Sequence, residues 1–220
     1  MGFEAVLFDC DGVLVDSEGI TNEVFRLMLR DRGWELDEAE CLRIFAGKAV
    51  RDEAALIEQR TGQPLTEDWL AEFRNRRNAA LLEQVQAVPG VQPAVRRIHQ
   101  RLEGRIACAS GADRLKVELM LRHIALIDLF EGRIFSGQEL ARSKPHPDVY
   151  LEAARVLRVA PARCAVIEDT VVGERAGVAA GATVLAYAAP SPAAQSPEAL
   201  RAAGAHRVFT DMAQLPELVL

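Results

Sequence analysis

The chain has no excess of basic residues. Lys and Arg number 26 against 32 Asp and Glu, for a net charge of -6. Proteins held to nucleic acid by phosphate contacts usually carry a basic face, so no nucleic-acid partner is expected. No apolar run is long enough for a membrane-spanning helix. The apolar segment near the start is short and soon acidic, unlike a secretory signal. Cysteine is sparse: Cys10, Cys41, Cys108 and Cys164 are scattered and form no CxxC. They read as reduced, structural thiols of a cytoplasmic protein. His99, His123, His146 and His206 have no ligand spacing, and there are no internal repeats. What remains is a 220-residue chain, half of it hydrophobic, enough for one large core or a core with a small second domain.

The most informative stretch runs from Ala5 to Ser17. Ala5-Val6-Leu7-Phe8 reads as a strand buried on both faces. It ends in two carboxylates, Asp9 and Asp11, followed by Gly12. Burying a charge is costly unless it is paired or bound to metal, so packing does not explain them. In open α/β sheets ligands sit beyond the carboxyl ends of strands, and these two acids lie at such an end. The competing reading is an acidic surface loop. Cys10, between the acids, is a poor candidate for a reactive thiol, because nearby negative charge disfavours a thiolate.

After Ser17 the period changes to that of helices. Ile20, Val24, Leu27 and Met28 fall on one helical face, with Asp16 or Ser17 as a cap and Gly33 as a stop. Further helices are expected at 38–45, 52–60 and 67–85. Val88-Pro89-Gly90 punctuates the chain. Strands and helices then alternate. Strands are expected at 105–109, 133–135, 164–167, 183–187 and 207–209, and 188–197 reads as a loop. That alternation predicts an α/β fold with a parallel sheet and helices on both faces. The helical block interrupts it, which predicts a core of residues 1–16 and 88–220 and an inserted all-helical cap of residues 17–87. Gly173, Gly177 and Gly181, four apart, predict close helix–sheet packing.

Three expected strands end in polar groups: Asp9 and Asp11, Ser110-Gly111, and Glu168-Asp169. Ser143-Lys144-Pro145 lies between the last two. Four carboxylates on one edge repel strongly. A divalent ion with oxygen ligands would hold them, and Mg²⁺ suits carboxylates together with phosphate oxygens. Lys144 adds a second positive charge. A serine hydroxyl followed by a glycine amide at a strand–helix turn makes an anion cradle. Metal, lysine and cradle together describe a phosphoryl site.

These motifs resemble the haloacid dehalogenase superfamily. Asp9-Cys10-Asp11-Gly12-Val13-Leu14-Val15-Asp16 resembles its first motif, Ser110 the second, Lys144 the third and Glu168-Asp169 the fourth. The helical block resembles the cap of the subfamily that contains β-phosphoglucomutase and small sugar phosphatases. Phe135-Ser136-Gly137, Lys144-Pro145 and Leu215-Pro216-Glu217-Leu218 are most similar to the bacterial 6-phosphogluconate phosphatases within it. The resemblance implies a Rossmann-like (HAD-like) core and a Mg²⁺-dependent phosphatase of small phosphorylated sugars or sugar acids. It implies that Asp9 is the nucleophile, becoming an aspartyl phosphate, and that Asp11 is the acid and base. Metal ligands would be the Asp9 carboxylate, the Asp11 carbonyl and Asp169, with Glu168 binding directly or through water. Ser110, Gly111 and Lys144 would hold the phosphoryl oxygens, and the Lys144-Pro145 peptide would be cis.

Several alternatives stand beside this reading. A dehalogenase lacks an acid at the place of Asp11, having no alkoxide to protonate. A β-phosphoglucomutase carries a histidine early in the cap, where this sequence has Thr21; hydrolysis is favoured over phosphosugar mutase chemistry. A non-catalytic regulator that binds phosphometabolites is the third class, opposed by the intact acidic pair. In capped relatives the cap supplies substrate contacts, and Phe45-Ala46-Gly47-Lys48 resembles the loop that does so. Lys48 and Arg51 are candidates for a distal anionic group, against a plain solvated patch. Arg74, Arg76 and Arg77 read as the wet face of a long helix, and Arg142 as a surface residue. The expected partner is a small phosphorylated metabolite, and the expected assembly a monomer or weak homodimer.

Overall fold

The structure is a computed structural model and describes residues 2–45, 48, 50–190 and 194–220. The chain opens with β1 (Ala5–Phe8), turns through the acidic loop, and makes the two-residue β2 (Val15–Asp16). Four helices follow: α1 (Glu18–Arg30), α2 (Glu38–Phe45), α3 (Ala54–Thr61) and α4 (Glu67–Gln84). Then comes β3 (Gln86–Ala87). From there helix and strand alternate through α5 (Val91–Arg101), β4 (Ile106–Ser110), α6 (Arg114–His123), β5 (Ile134–Ser136) and α7 (Asp148–Leu157). The chain finishes with β6 (Cys164–Glu168), α8 (Val171–Ala179), β7 (Thr183–Tyr187), α9 (Pro197–Ala203), β8 (Arg207–Phe209) and α10 (Leu215–Val219).

The expected parallel α/β sheet is present. Its six strands run in the order β5-β4-β1-β6-β7-β8, with every neighbouring pair parallel. The order reverses beside β1, which pairs with β4 on one side and β6 on the other. Such a reversal opens a crevice at the carboxyl ends of the strands. All four residues of β1 are buried. Ala5 and Leu7 join a core with Ala107, Val166, Tyr150 and Ala153. Phe8 faces the other way and meets Phe130 edge-on at 6.0 Å. Covering both faces is what makes the run uniformly apolar.

Two compact units are present: Met1–Asp16 with Gln86–Leu220, and Ser17–Val85. Gln86 and Ala87, assigned to the helical block from sequence, instead pair antiparallel with Asp16 and Val15. The helical unit has its own core, in which Phe25 contacts Phe45, Phe73 and Trp69 at 4.8–6.0 Å. Ser17 sits at the N-cap of α1, but its side chain makes no capping bond there. Arg77 is not on a wet face: it is buried, 5.7 Å over the Phe73 ring, and donates to the Asn78 side chain.

The glycine spacing on α8 has two causes. A Cβ at Gly177 would press on Val184 and Val166 of the sheet, so that position does serve helix–sheet packing. Gly181 has open space around it and adopts φ +80° beyond the end of the helix; it is a turn residue.

Candidate active site

Asp9 follows β1 directly, and its N–H continues the sheet by donating to the Ile167 carbonyl at 2.9 Å. This bond fixes the carboxylate at the crevice. Lys144, on the segment between β5 and α7, donates from Nζ to Asp9 Oδ1 and to Glu168 Oε1, both at 2.6 Å. All three groups are buried. The segment that carries Lys144 lies close to Gly137, where a Cβ would stand 2.6 Å from Ser143 Oγ. The Lys144-Pro145 peptide is cis.

Asp9, Glu168 and Asp169 each offer an oxygen within 4.8 Å of the others. Gly12 makes room for this: it has φ +74°, and a Cβ there would collide with the Asp169 carboxylate. Gly173 does the same for Glu168. Asp11 is not part of that trio. Its Oδ1 accepts a 2.6 Å bond from Lys116 Nζ, a buried lysine in the first turn of α6 that the sequence reading did not single out.

Glu168 is fully occupied within the protein. Its Oε1 accepts from Lys144 and, at 2.5 Å, from the Tyr150 hydroxyl; its Oε2 accepts from the Asp169 N–H and the Thr170 hydroxyl, each at 3.2 Å. It is therefore placed as the anchor of Lys144 rather than as an available metal ligand. Ser110 ends β4, two residues past the Phe8–Cys108 pairing, and is buried. Its Oγ accepts from the Ala112 N–H at 3.1 Å and keeps its own proton for another acceptor. Gly111 has ordinary room for a Cβ, so a role for it rests on its amide and not on its size.

The electrostatics of the site would suit a cation. Burial pushes the Asp9 carboxyl up to about 7; Lys144 pulls it down, and Glu168 and Asp11 push it further up. Burial also lowers Lys144, but the charges of Asp9 and Glu168 outweigh it and hold the ammonium well above its ordinary range. Counted in their ionised forms, four carboxylates against two ammonium groups leave two negative charges, which one divalent cation would balance. The donors are hard oxygens, as Mg²⁺ prefers. Asp9 and Asp169 are the carboxylates that fit it, since Glu168 is committed. Cys10 is buried, and contact with Cys108 followed by burial raises its thiol well above the usual value, so it is no nucleophile.

The other candidates have ion-pair partners of their own. Lys48 and Arg51 belong to the helical unit, where Lys48 pairs with Glu53 at 3.0 Å and Arg51 with Glu67 at 2.5 Å. Ala46 and Gly47 of the expected substrate loop fall outside the described residues. Arg142 is exposed and paired with Asp148 at 3.0 Å.

One further acid is buried nearby. Glu174, in the first turn of α8, has neither oxygen hydrogen-bonded among the described residues. Burial, with Glu168 adding to it, raises its carboxyl from 4.5 to about 8. The folded chain then keeps a proton that the unfolded chain releases, so its stability falls as pH rises from 4.5 through about 8. Glu174→Gln is expected to raise the Tm at pH 8 and to change it little at pH 4.5, which a series of thermal melts would read. A gain that does not depend on pH would contradict this assignment.

Comparison with known proteins adds four similarities. The family model described as haloacid dehalogenase-like hydrolase matches residues 3–181. The chain is 32% identical to the bifunctional riboflavin kinase/FMN phosphatase of Arabidopsis thaliana over 82% of its length, and spans about half of that protein (47%). It is 27% identical to 6-phosphogluconate phosphatase of Escherichia coli, covering 98% of this chain and 94% of the other. Among solved structures, a HAD family hydrolase from Deinococcus radiodurans with bound phosphate and sodium is similar with a TM-score of 0.78. That pair is 39% identical, over 97% of this chain and 93% of that one.

Proposed function

Because the chain belongs to the haloacid dehalogenase-like hydrolases, we propose that it is a phosphoric monoester hydrolase of small phosphorylated sugars or sugar acids. Its main support is Lys144, whose single ammonium group holds Asp9 and Glu168 at 2.6 Å each beside Asp169. A buried carboxylate held in this way is aimed, and its repulsion of a phosphoryl dianion is reduced. The Escherichia coli relative named for 6-phosphogluconate matches nearly end to end, which supports the substrate class.

In this reading an Asp9 oxygen attacks phosphorus as the bond from phosphorus to the sugar oxygen breaks. Asp11 gives that oxygen its proton. Water then attacks the aspartyl phosphate, Asp11 takes the water's proton, and phosphate leaves with Asp9 restored. Lys144 and the Ser110 hydroxyl steady the phosphoryl oxygens, with the Gly111 amide assisting. Mg²⁺ held by Asp9 and Asp169, with the Asp11 carbonyl, would neutralise charge on the transferring group. None of the described helices is long and apolar enough to cross a membrane, and we place the activity in the cytoplasm.

The test is phosphate release from a panel of 6-phosphogluconate, fructose 1-phosphate, glucose 6-phosphate and glycerol phosphate, with p-nitrophenyl phosphate as an aryl ester. Release is expected to vanish with a chelator and to return with Mg²⁺. Hydrolysis that survives metal removal defeats the ligand assignment. Isomerised phosphosugar without phosphate release would indicate a mutase, and an inert protein that binds phosphosugars would indicate a regulator.

A further inference from the structure

We propose that Lys116 is a positioning residue that holds the Asp11 carboxyl group in line for proton transfer, an inference that rests on the phosphatase reading above. Lys116 is the third residue of α6, a helix that begins four residues after Ser110. The first turn of a helix is the unfavourable end for a cation, because the macrodipole is positive there. A buried lysine also loses hydration and rotamer freedom. Neither helix formation nor packing accounts for a lysine at this position. The 2.6 Å bond to Asp11 Oδ1 does.

The backbone at both ends of this bond is fixed. Asp113 caps α6 by accepting the Lys116 N–H at 3.0 Å. On the other side the acidic loop is closed by Gly12 N–H donating to the Val15 carbonyl at 2.8 Å. With both backbones set, the Lys116 bond acts on the χ angles of Asp11. The side chain of Asp11 is 23% exposed, against 8% for that of Lys116. Three other carboxylates, Asp9, Glu168 and Asp169, cluster at the strand ends of the same site. Their repulsion drives an unrestrained Asp11 outward, away from the reacting oxygen. Lys144 is engaged by Asp9 and Glu168, so a second ammonium is the counterweight that keeps Asp11 in place.

The consequence depends on the leaving group. As the bond from Asp9 to phosphorus forms and the bond from phosphorus to the ester oxygen breaks, an alkoxide needs the Asp11 proton, whereas p-nitrophenolate departs without one. Since kcat/KM reports only steps through alcohol release, it isolates this half of the reaction. Lys116→Met is expected to lower kcat/KM about 100-fold for the best alkyl ester of the panel and less than about fivefold for p-nitrophenyl phosphate. Lys116→Arg, which keeps a donor of like charge, is expected to recover most of the alkyl-ester loss. An equal fall for both esters, or no fall for either, overturns the positioning role while leaving the phosphatase reading intact. A wild-type protein that hydrolyses neither kind of ester removes both. Should Lys116→Met not fold, the ratio of the two esters in Lys116→Arg and Lys116→Gln decides the matter: a ratio that moves with the Gln variant alone supports the role, and an unchanged ratio in both overturns it.

Discussion

Asp9→Asn is expected to reduce phosphate release by at least about 10⁴-fold, since removing a catalytic nucleophile leaves only binding and charge stabilisation behind. The amide oxygen is a poor nucleophile, and the substitution is nearly isosteric, so the loss is chemical and not steric. Stability is expected to hold or to rise. Burial raises the Asp9 carboxyl to about 7, which means that the charged form is unfavourable in the folded state. An uncharged side chain removes that cost and also the repulsion from Glu168 and Asp11. Lys144 loses one partner but keeps Glu168 at 2.6 Å. Phosphate release and a thermal melt on the same preparation check both halves. Residual turnover above about 1% of wild type would mean that another group attacks phosphorus. A large fall in Tm would mean that Asp9 is mainly a structural partner of Lys144.

Much of this site was legible because it is built from residues in the wrong place for packing. Apolar runs that end in Asp9, Ser110 and Glu168-Asp169 mark strand ends, and parallel sheets put strand ends on one edge. The division of labour within the acidic pair was not separated. Glu168 is the last residue of β6 and fully buried, whereas Asp169 follows the strand and is only half-buried, so the two acids meet different surroundings. Tyr150 went unnoticed because its ring fits the apolar stripe of α7 and its hydroxyl bond to Glu168 is long-range.

Lys116 and Arg77 were missed for one shared reason. Each lies on the buried stripe of its helix: Lys116 with Val117, Met120 and Leu121, and Arg77 with Leu70, Phe73 and Leu81. Charge alone suggested a solvated face for Arg77 and drew no attention to Lys116, whereas phase places both inside. A cation in phase with an apolar stripe is a sign of a buried partner or a ring contact. The ribbon of Val15–Asp16 with Gln86–Ala87 had no such sign, because two residues are too few to show a period.

Lys144→Met is expected to lose stability as well as activity, and the two losses should separate in a double variant. Removing one partner of a buried ion pair leaves the other charge uncompensated, at a cost of about 3–5 kcal/mol. Asp9 and Glu168 both lose this partner, and the fully buried one is Glu168. It keeps three donors in Tyr150, the Asp169 N–H and Thr170, so the loss should fall near the lower figure. Adding Glu168→Gln removes that buried charge while preserving the shape of the side chain. The double variant Lys144→Met/Glu168→Gln is therefore expected to regain most of the lost stability, because a buried pair replaced by neutral groups is often neutral or stabilising. Activity should not return. Without the ammonium, Asp9 meets the phosphoryl group unscreened, and phosphate release should stay down by about 10²–10³-fold, as for loss of one charge-stabilising donor. Chemical denaturation gives the first quantity and phosphate release the second. If activity recovered together with stability, the lysine would be needed only to neutralise Glu168, and its assigned part in aiming Asp9 would fall.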